Sequence, residues 1–405
     1  MATFSYLPTE LVMQIAEYLQ YVDMYEEPGI VYASVLRKRQ ATLANFCLVN
    51  KQWYSVAISK LYCSPSLLSG ESILKFLRTL CPNHRDRRRD RDRPELGLLI
   101  HTLNLGNLVH HSSNSRTARL INKARKMRIF TAPQYSFSLN CLAPLSKCSE
   151  LRSLDLSRIY NTGINFPTLK NTISKLENLW RLCLPASIPI THCSTKSEGG
   201  PGDWPHYLGD MILSGEFDHE VMEKFEWPPH IESIKITQGR ALSNLIIDAI
   251  LSHPTVQMNL EEFIIDSTCS YIHFEHFEEV ETSVMYELPC LDRVQIPCDL
   301  ARFFGMFDSE SEDVMGFKSL TLTEPVDCEG EYLDPDLGGD LIGSVEFGPL
   351  CLIWGLEVPI GLMEEYALDQ FELDELIVAH LDDVSDDELD AWPALPGFSV
   401  RKKDS

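Results

Sequence analysis

Leu151-Arg152-Ser153-Leu154-Asp155-Leu156 is an apolar-x-x-apolar-x-apolar hexapeptide, and the chain repeats its spacing. Ile100/Leu103/Leu105, Leu179/Leu182/Leu184, Ile231/Ile234/Ile236, Leu260/Phe263/Ile265, Leu291/Val294/Ile296, Phe317/Leu320/Leu322, Ile342/Val345/Phe347 and Leu373/Leu376/Val378 match it. Alternate side chains of a strand face opposite sides, so the apolar positions point into a core and the residues between them point out. Start-to-start intervals are 51, 28, 52, 29, 31, 26, 25 and 31 residues. The two long ones read as double steps holding an unrecognised or inserted repeat. Thr117 to Arg128 and Ala241 to Leu251, lying between matches, have helical character. One strand and one helix per step predicts an α+β or α/β solenoid.

The step length and the strand–helix alternation resemble leucine-rich repeats, whose period is roughly 20 to 29 residues. The Asn or Cys expected after each strand is mostly missing, so the resemblance implies an irregular horseshoe. Its concave face would carry Trp180, Arg181, Lys235, Glu261, Glu262, Asp266 and Arg293, with Asp292, Asp374 and Glu375, as candidates for contact with a target protein. For any single residue a solvated strand face is the plainer reading. Trp180, an aromatic of a type enriched at interface hot spots, stands above the rest.

Composition narrows the function classes. With 405 residues, 44% of them hydrophobic, the chain has the material for a large core. The net charge of −24 is unevenly placed: up to residue 130 there are 19 Lys and Arg against 10 Asp and Glu, and beyond it 16 against 49. So acidic a surface repels phosphate backbones and anionic lipid, arguing against nucleic-acid and membrane binding and favouring a basic protein partner. The apolar stretch Phe347 to Met363 is broken by Gly348, Pro349, Gly355, Glu357 and Pro359, and reads as strand and loop rather than a membrane span. The 12 cysteines are scattered, which suits reduced thiols. Met1 to Glu10 lacks a basic region leading into an apolar one, and no Asn-x-Ser/Thr site occurs. Cytosol or nucleus is the expected compartment.

Two helical patterns precede the array. Leu7, Leu11, Ile15, Tyr18 and Leu19 recur at helical spacing, with Pro8 and Glu10 where a first turn favours them. Phe46, Val49, Trp53, Val56 and Leu61 form a second one-sided stripe. So few short helices bury too little to stand alone, so part of this apolar surface is expected to pack on a neighbouring domain or a partner. Leu7-Pro8-Thr9-Glu10-Leu11, Ile15, Tyr18-Leu19, Leu48-Val49-Asn50-Lys51-Gln52-Trp53 and Leu61-Tyr62 together resemble the F-box. That resemblance implies a three-helix module that binds a Skp-family linker and, through it, a cullin, with Leu7, Pro8, Leu11, Ile15, Leu48, Val49 and Trp53 forming or supporting the interface. The same residues would equally serve as the core of any small helical bundle. The segment from Leu19 to Leu48 is longer than the family usually has and includes Glu26-Glu27-Pro28-Gly29 and Arg37-Lys38-Arg39.

On this reading, residues 1–65 are the F-box with an insertion at about 20–42, 66–97 a helix and charged linker, 98–390 the array and 391–405 a tail. The linker holds the run His84 to Arg93, six arginines interleaved with three aspartates, which reads as a solvated loop. Thr191 to Trp204 and Asp308 to Asp313 read as surface loops within the array, and the acidic stretch Glu364 to Asp390 as a final repeat or cap. Cys81 with His84 and His273 with His276 lack the second ligand pair of a zinc site, and no cofactor is expected. No GxSxG, GxxxxGK[ST], GxGxxG or HExxH motif occurs. With no catalytic motif to set against it, the F-box resemblance implies a non-catalytic substrate-recognition adaptor of a Skp–cullin–F-box ubiquitin ligase. The alternative is an F-box-containing repeat scaffold that takes no part in degradation.

Overall fold

A computed structural model describes residues 7–21, 30–81, 95–108, 113–160, 163–191, 203–266, 269–273, 288–297 and 319–323. The matches at Ile342 and Leu373, the runs at 84–93 and 308–313, and the C-terminal acidic stretch and tail lie outside the described residues. The chain divides into two compact units, Met1–Met211 with Pro228–His230 and Ile212–Trp227 with Ile231–Ser405.

The first unit opens with three helices, α1 (Thr9–Tyr21), α2 (Ile30–Cys47) and α3 (Lys51–Cys63). Their shared core is Val12, Ala16, Phe46, Cys47 and Ala57, with Leu19, Trp53, Val56 and Leu61 packed against it. The rings of Phe46 and Trp53 lie 4.2 Å apart. The stripe from Phe46 to Leu61 is therefore split between two helices. Asn50 stands between them in an extended conformation, and its side-chain oxygen accepts from the Trp53 N–H, so α3 starts on its own N-cap. Helix α2 occupies much of the stretch expected as an insertion and carries Arg37-Lys38-Arg39. Glu26 to Gly29 lie outside the described residues. Helix α4 (Gly70–Leu80) follows, its start fixed by a reciprocal pair of hydrogen bonds between Ser69 and Ser72.

Parallel strands then alternate with helices: β1 (Thr102–Asn104), α5 (Asn114–Lys123), β2 (Ile129–Thr131), α6 (Leu139–Leu145), β3 (Ser153–Asp155), α7 (Phe166–Ile173) and β4 (Arg181–Cys183). Leu103, Phe130, Leu154 and Leu182 are Cα partners across this ladder and are all fully buried. Next to the strands a backbone pattern recurs. The carbonyl of His101 accepts from the N–H groups of Arg128 and Ile129, that of Arg128 from Arg152 and Ser153, that of Arg152 from Trp180 and Arg181, and that of Trp180 from Gly209 and Asp210. One oxygen per repeat thus satisfies two donors of the next, tying each repeat to its neighbour through main chain alone.

Strand β2 fills the first long interval, and strand β5 (Asp210–Glu216) the second. Their repeats read Met127/Phe130/Ala132 and Leu208/Met211/Leu213, all buried to 1% exposure or less. Met and Ala occupy places where the other repeats carry Leu, Ile, Val or Phe, which is why the spacing alone left them unread. Trp204, expected in a surface loop, is buried against Phe166, and Lys170 lies over its indole at 5.1 Å.

In the second unit, α8 (His219–Glu223) precedes β6 (Ser233–Ser243), α9 (Asn244–Leu251), α10 (Pro254–Asn259), β7 (Glu262–Ile265), β8 (Ser270–His273), β9 (Arg293–Pro297) and β10 (Ser319–Thr323). The order is β6-β7-β9-β10, all parallel, with β8 paired to the far end of β6. Ile234, Phe263, Val294 and Leu320 are partners across it. The shared-carbonyl pattern continues: Glu232 accepts from Glu261 and Glu262, and Glu261 from Asp292 and Arg293. Both units are thus α/β, with a parallel sheet and helices in the connections.

Candidate functional site

Helix α1 carries two apolar stripes one residue out of phase. Val12 and Ala16 face the helical core and are fully buried, whereas Leu7, Leu11, Ile15 and Tyr18 are exposed. Of the stripe that periodicity marked, Leu7, Leu11, Ile15 and Tyr18 therefore face outward and Leu19 packs against the core. In the turn between α2 and α3, Leu48 is 82% exposed and Val49 56%. Two hydrogen bonds hold the regions together: the Gln52 side-chain amide donates to the Leu7 carbonyl at 2.8 Å and to the Thr9 hydroxyl at 3.2 Å. Lys60 of α3 meets Glu17 of α1 at 3.2 Å on the same pair of helices. Pro8 is exposed at the start of α1, its carbonyl accepting from the Val12 N–H. Trp53 sits differently, packed against the core beside Phe46.

Fully burying one Leu, Ile or Val contributes roughly 1.5–3 kcal/mol. An apolar edge left open on a well-packed support is the usual mark of a protein–protein contact. Leu7, Pro8, Leu11, Ile15, Leu48 and Val49 are all exposed, Leu7 being held to the start of α3 through Gln52, and Met13 and Tyr54, which the sequence pattern did not mark, are exposed on α1 and α3.

The chain is similar to F-box protein YDR306C of Saccharomyces cerevisiae. The two are 27% identical over 250 residues, 61% of this chain and 48% of that protein. Protein pof5 of Schizosaccharomyces pombe is 31% identical over 156 residues, 38% of this chain and 42% of that protein. The chain spans less than half the length of either relative. No family model matches the chain. The likenesses support kinship with F-box proteins.

The residues expected on a concave face are placed between the buried ladder positions, and Arg181, Lys235, Asp266, Glu262 and Arg293 form ion pairs. Arg181 meets Asp210 at 3.3 Å, Lys235 meets Asp266 at 3.2 Å, and Arg293 meets Glu262 at 2.9 Å. Glu262 also accepts from the Ser233 hydroxyl at 2.8 Å. Glu261 is exposed, Asp292 half-buried, and Trp180 is 49% exposed beside Arg181. Asp374 and Glu375 lie outside the described residues. Two exposed arginines, Arg128 and Arg152, hold the same place in their repeats as Trp180. Arg128 was missed because the Met127 repeat was unread, its spacing of three and two being the available signal; Arg152 stands in the Leu151 repeat, which the spacing does mark, and was passed over there.

Burial pushes the Cys148 thiol up to about 12 and, with help from the Asp155 carboxylate, the Cys183 thiol to about 12 as well. Cys47, Cys141 and Cys269 are raised by burial too. Among the described residues no group of three His, Cys, Asp or Glu converges as a metal site, and no helix is long and apolar enough to cross a membrane. His84 and His276 lie outside those residues.

Proposed function

We propose that the chain is a non-catalytic substrate-recognition adaptor of a Skp–cullin–F-box ubiquitin ligase, acting in the cytosol or nucleus. The observation that carries this is the outward stripe Leu7, Leu11 and Ile15, with Leu48 and Val49 also exposed, on helices that share a packed core. These are the residues through which the F-box resemblance has a Skp-family linker bind, and the likeness to F-box protein YDR306C supports the same reading. In this reading the repeat array is a degenerate leucine-rich-repeat solenoid that holds a target, and catalysis is positional, bringing a target lysine near a ubiquitin-charged enzyme. The acidic residues ahead of the strands, Glu232, Glu261 and Asp292, favour a target with a basic region.

The test is capture of a Skp-family linker and a cullin by the full chain. Leu11→Asp with Leu48→Asp is expected to abolish capture while leaving the thermal melt unchanged, since both side chains are exposed. Wild-type chain that captures no linker, or a double variant that captures it as well as wild type, would overturn the assignment. Linker capture with neither cullin nor target turnover would instead favour a repeat scaffold outside degradation.

A further inference from the structure

Arg128, Arg152 and Trp180 occupy one place in three successive repeats, the residue ahead of each strand whose carbonyl accepts two N–H groups from the next repeat. Their backbones are fixed and their side chains exposed. The residues that follow them, Ile129, Ser153 and Arg181, are Cα partners, so the three columns are in register. Neighbouring strands lie about 4.8 Å apart, which sets two guanidiniums and an indole side by side along about 10 Å. Arg128 has only a long contact to Glu150, 3.9 Å with both side chains substantially exposed. Arg152 meets no carboxylate within ion-pair distance among the described residues. Nothing in the fold requires this chemistry, because the equivalent places in the second unit carry Glu232, Glu261 and Asp292.

We propose that the Arg128–Arg152–Trp180 column receives a short carboxylate-rich segment of a target protein, an inference that rests on the adaptor reading above. Planar guanidiniums bind carboxylates with two parallel hydrogen bonds, and exposed Trp supplies apolar contact area at little entropic cost. About three extended residues span the column, enough for two acidic side chains and one apolar one. A long polyanion such as nucleic acid is disfavoured, because beyond residue 130 the chain holds 49 acidic against 16 basic residues. A short acidic segment meets the column alone.

The experiment is fluorescence anisotropy at low salt, titrating the full chain into a short fluorescein-labelled peptide of alternating Glu and Asp with one central Leu. Saturable binding is expected, weakened on the order of tenfold by Arg152→Glu and several-fold by Arg152→Gln and by Trp180→Ala. Lys224→Glu, the same charge change on the second unit, is expected to leave binding unchanged, and thermal melts verify that each variant folds. Equal affinity of wild type and both Arg152 variants would overturn the proposal. So would equal weakening by Lys224→Glu, or a single-stranded oligonucleotide that displaces the peptide more effectively than unlabelled peptide does. Linker capture measured on the same preparations separates the two readings. Capture without peptide binding sinks the column and spares the adaptor, whereas peptide binding without capture supports the column and sinks the adaptor.

Discussion

Ahead of its strands the first unit carries Arg128, Arg152 and Trp180; the second carries Glu232, Glu261 and Asp292. The main chain treats the two sets alike. Arg128, Arg152, Glu232 and Glu261 each offer one carbonyl to two amides of the following repeat. One strand position further on, Arg181 leans on Asp210 in the first unit, and Arg293 on Glu262 in the second. The contrast teaches that the repeat fixes where a side chain projects and leaves its charge free. Shared features report on folding, and features that differ report on what each unit meets.

Four measurements press on this comparison. The largest effect is expected at the ladder itself. Phe130→Ala in the first unit and Phe263→Ala in the second, both fully buried, should each cost about 3–5 kcal/mol. Amide hydrogen exchange should show protection lost mainly in the mutated unit. Equal loss in both would mean that the two unfold as one body and that contrasting them has no energetic meaning.

Alkaline pH comes next. Cys148 and Cys183 in the first unit have folded-state thiol values of about 12 against an ordinary 9.0. A thiol kept neutral by the fold contributes its stability in full below pH 9 and loses it as pH rises towards 12, because the unfolded chain ionises first. By pH 10 the loss is roughly 1.4 kcal/mol per thiol. Melting curves of Cys148→Ala and Cys183→Ala should flatten between pH 8 and 10 relative to wild type (roughly the window set by the two values). An unchanged slope would refute the burial account.

The strand-level ion pairs rank third. Arg181→Ala removes a cation from Asp210, whose side chain is only 12% exposed, and should cost about 1–3 kcal/mol. Arg293→Ala acts on a pair whose arginine is 63% exposed and should cost about 0.2–1 kcal/mol. Chemical denaturation that ranks them in reverse would break the idea that the first unit's pair is structural. Smallest of all, Arg152→Glu and Glu261→Arg should each change stability by less than about 0.5 kcal/mol. A larger loss would show that the column residues serve the fold after all.

Much of the architecture was legible because it rests on buried apolar spacing. Leu103, Leu154, Leu182, Ile234, Phe263, Val294 and Leu320 were all marked by the hexapeptide pattern, and each lies on a strand in the ladder. What escaped was any repeat whose core atoms come from Met or Ala, as at Met127, Ala132 and Met211. Periodicity also showed only one of the two apolar stripes of α1. A stripe of Leu7, Leu11 and Ile15 looks like a buried face until Val12 and Ala16, smaller residues with less sequence signal, are seen to fill the core instead. The break at Asn50 was hidden in a run of regular apolar steps, since a cap is a local hydrogen bond that leaves hydrophobic spacing intact. The F-box resemblance named Leu7, Pro8, Leu11, Ile15, Leu48 and Val49, and the structure leaves all six exposed. Arg128 went unread because its repeat had to be found first, whereas Arg152 stood in a repeat already marked and nothing in the spacing set it apart.

The doubled stripe on α1 also bears on supply. A helix apolar on both sides is soluble only while one side is covered by its own fold and the other by something else, and here Leu7, Leu11, Ile15 and Tyr18 have no cover within the described chain. On the adaptor reading a partner covers them, and bound chain would then outlast free chain, because a ligand that meets only the folded state draws the population towards it. The abundance of this protein would follow the stoichiometry of whatever covers that edge, so depleting the partner should shorten the chain's half-life without any change in its synthesis.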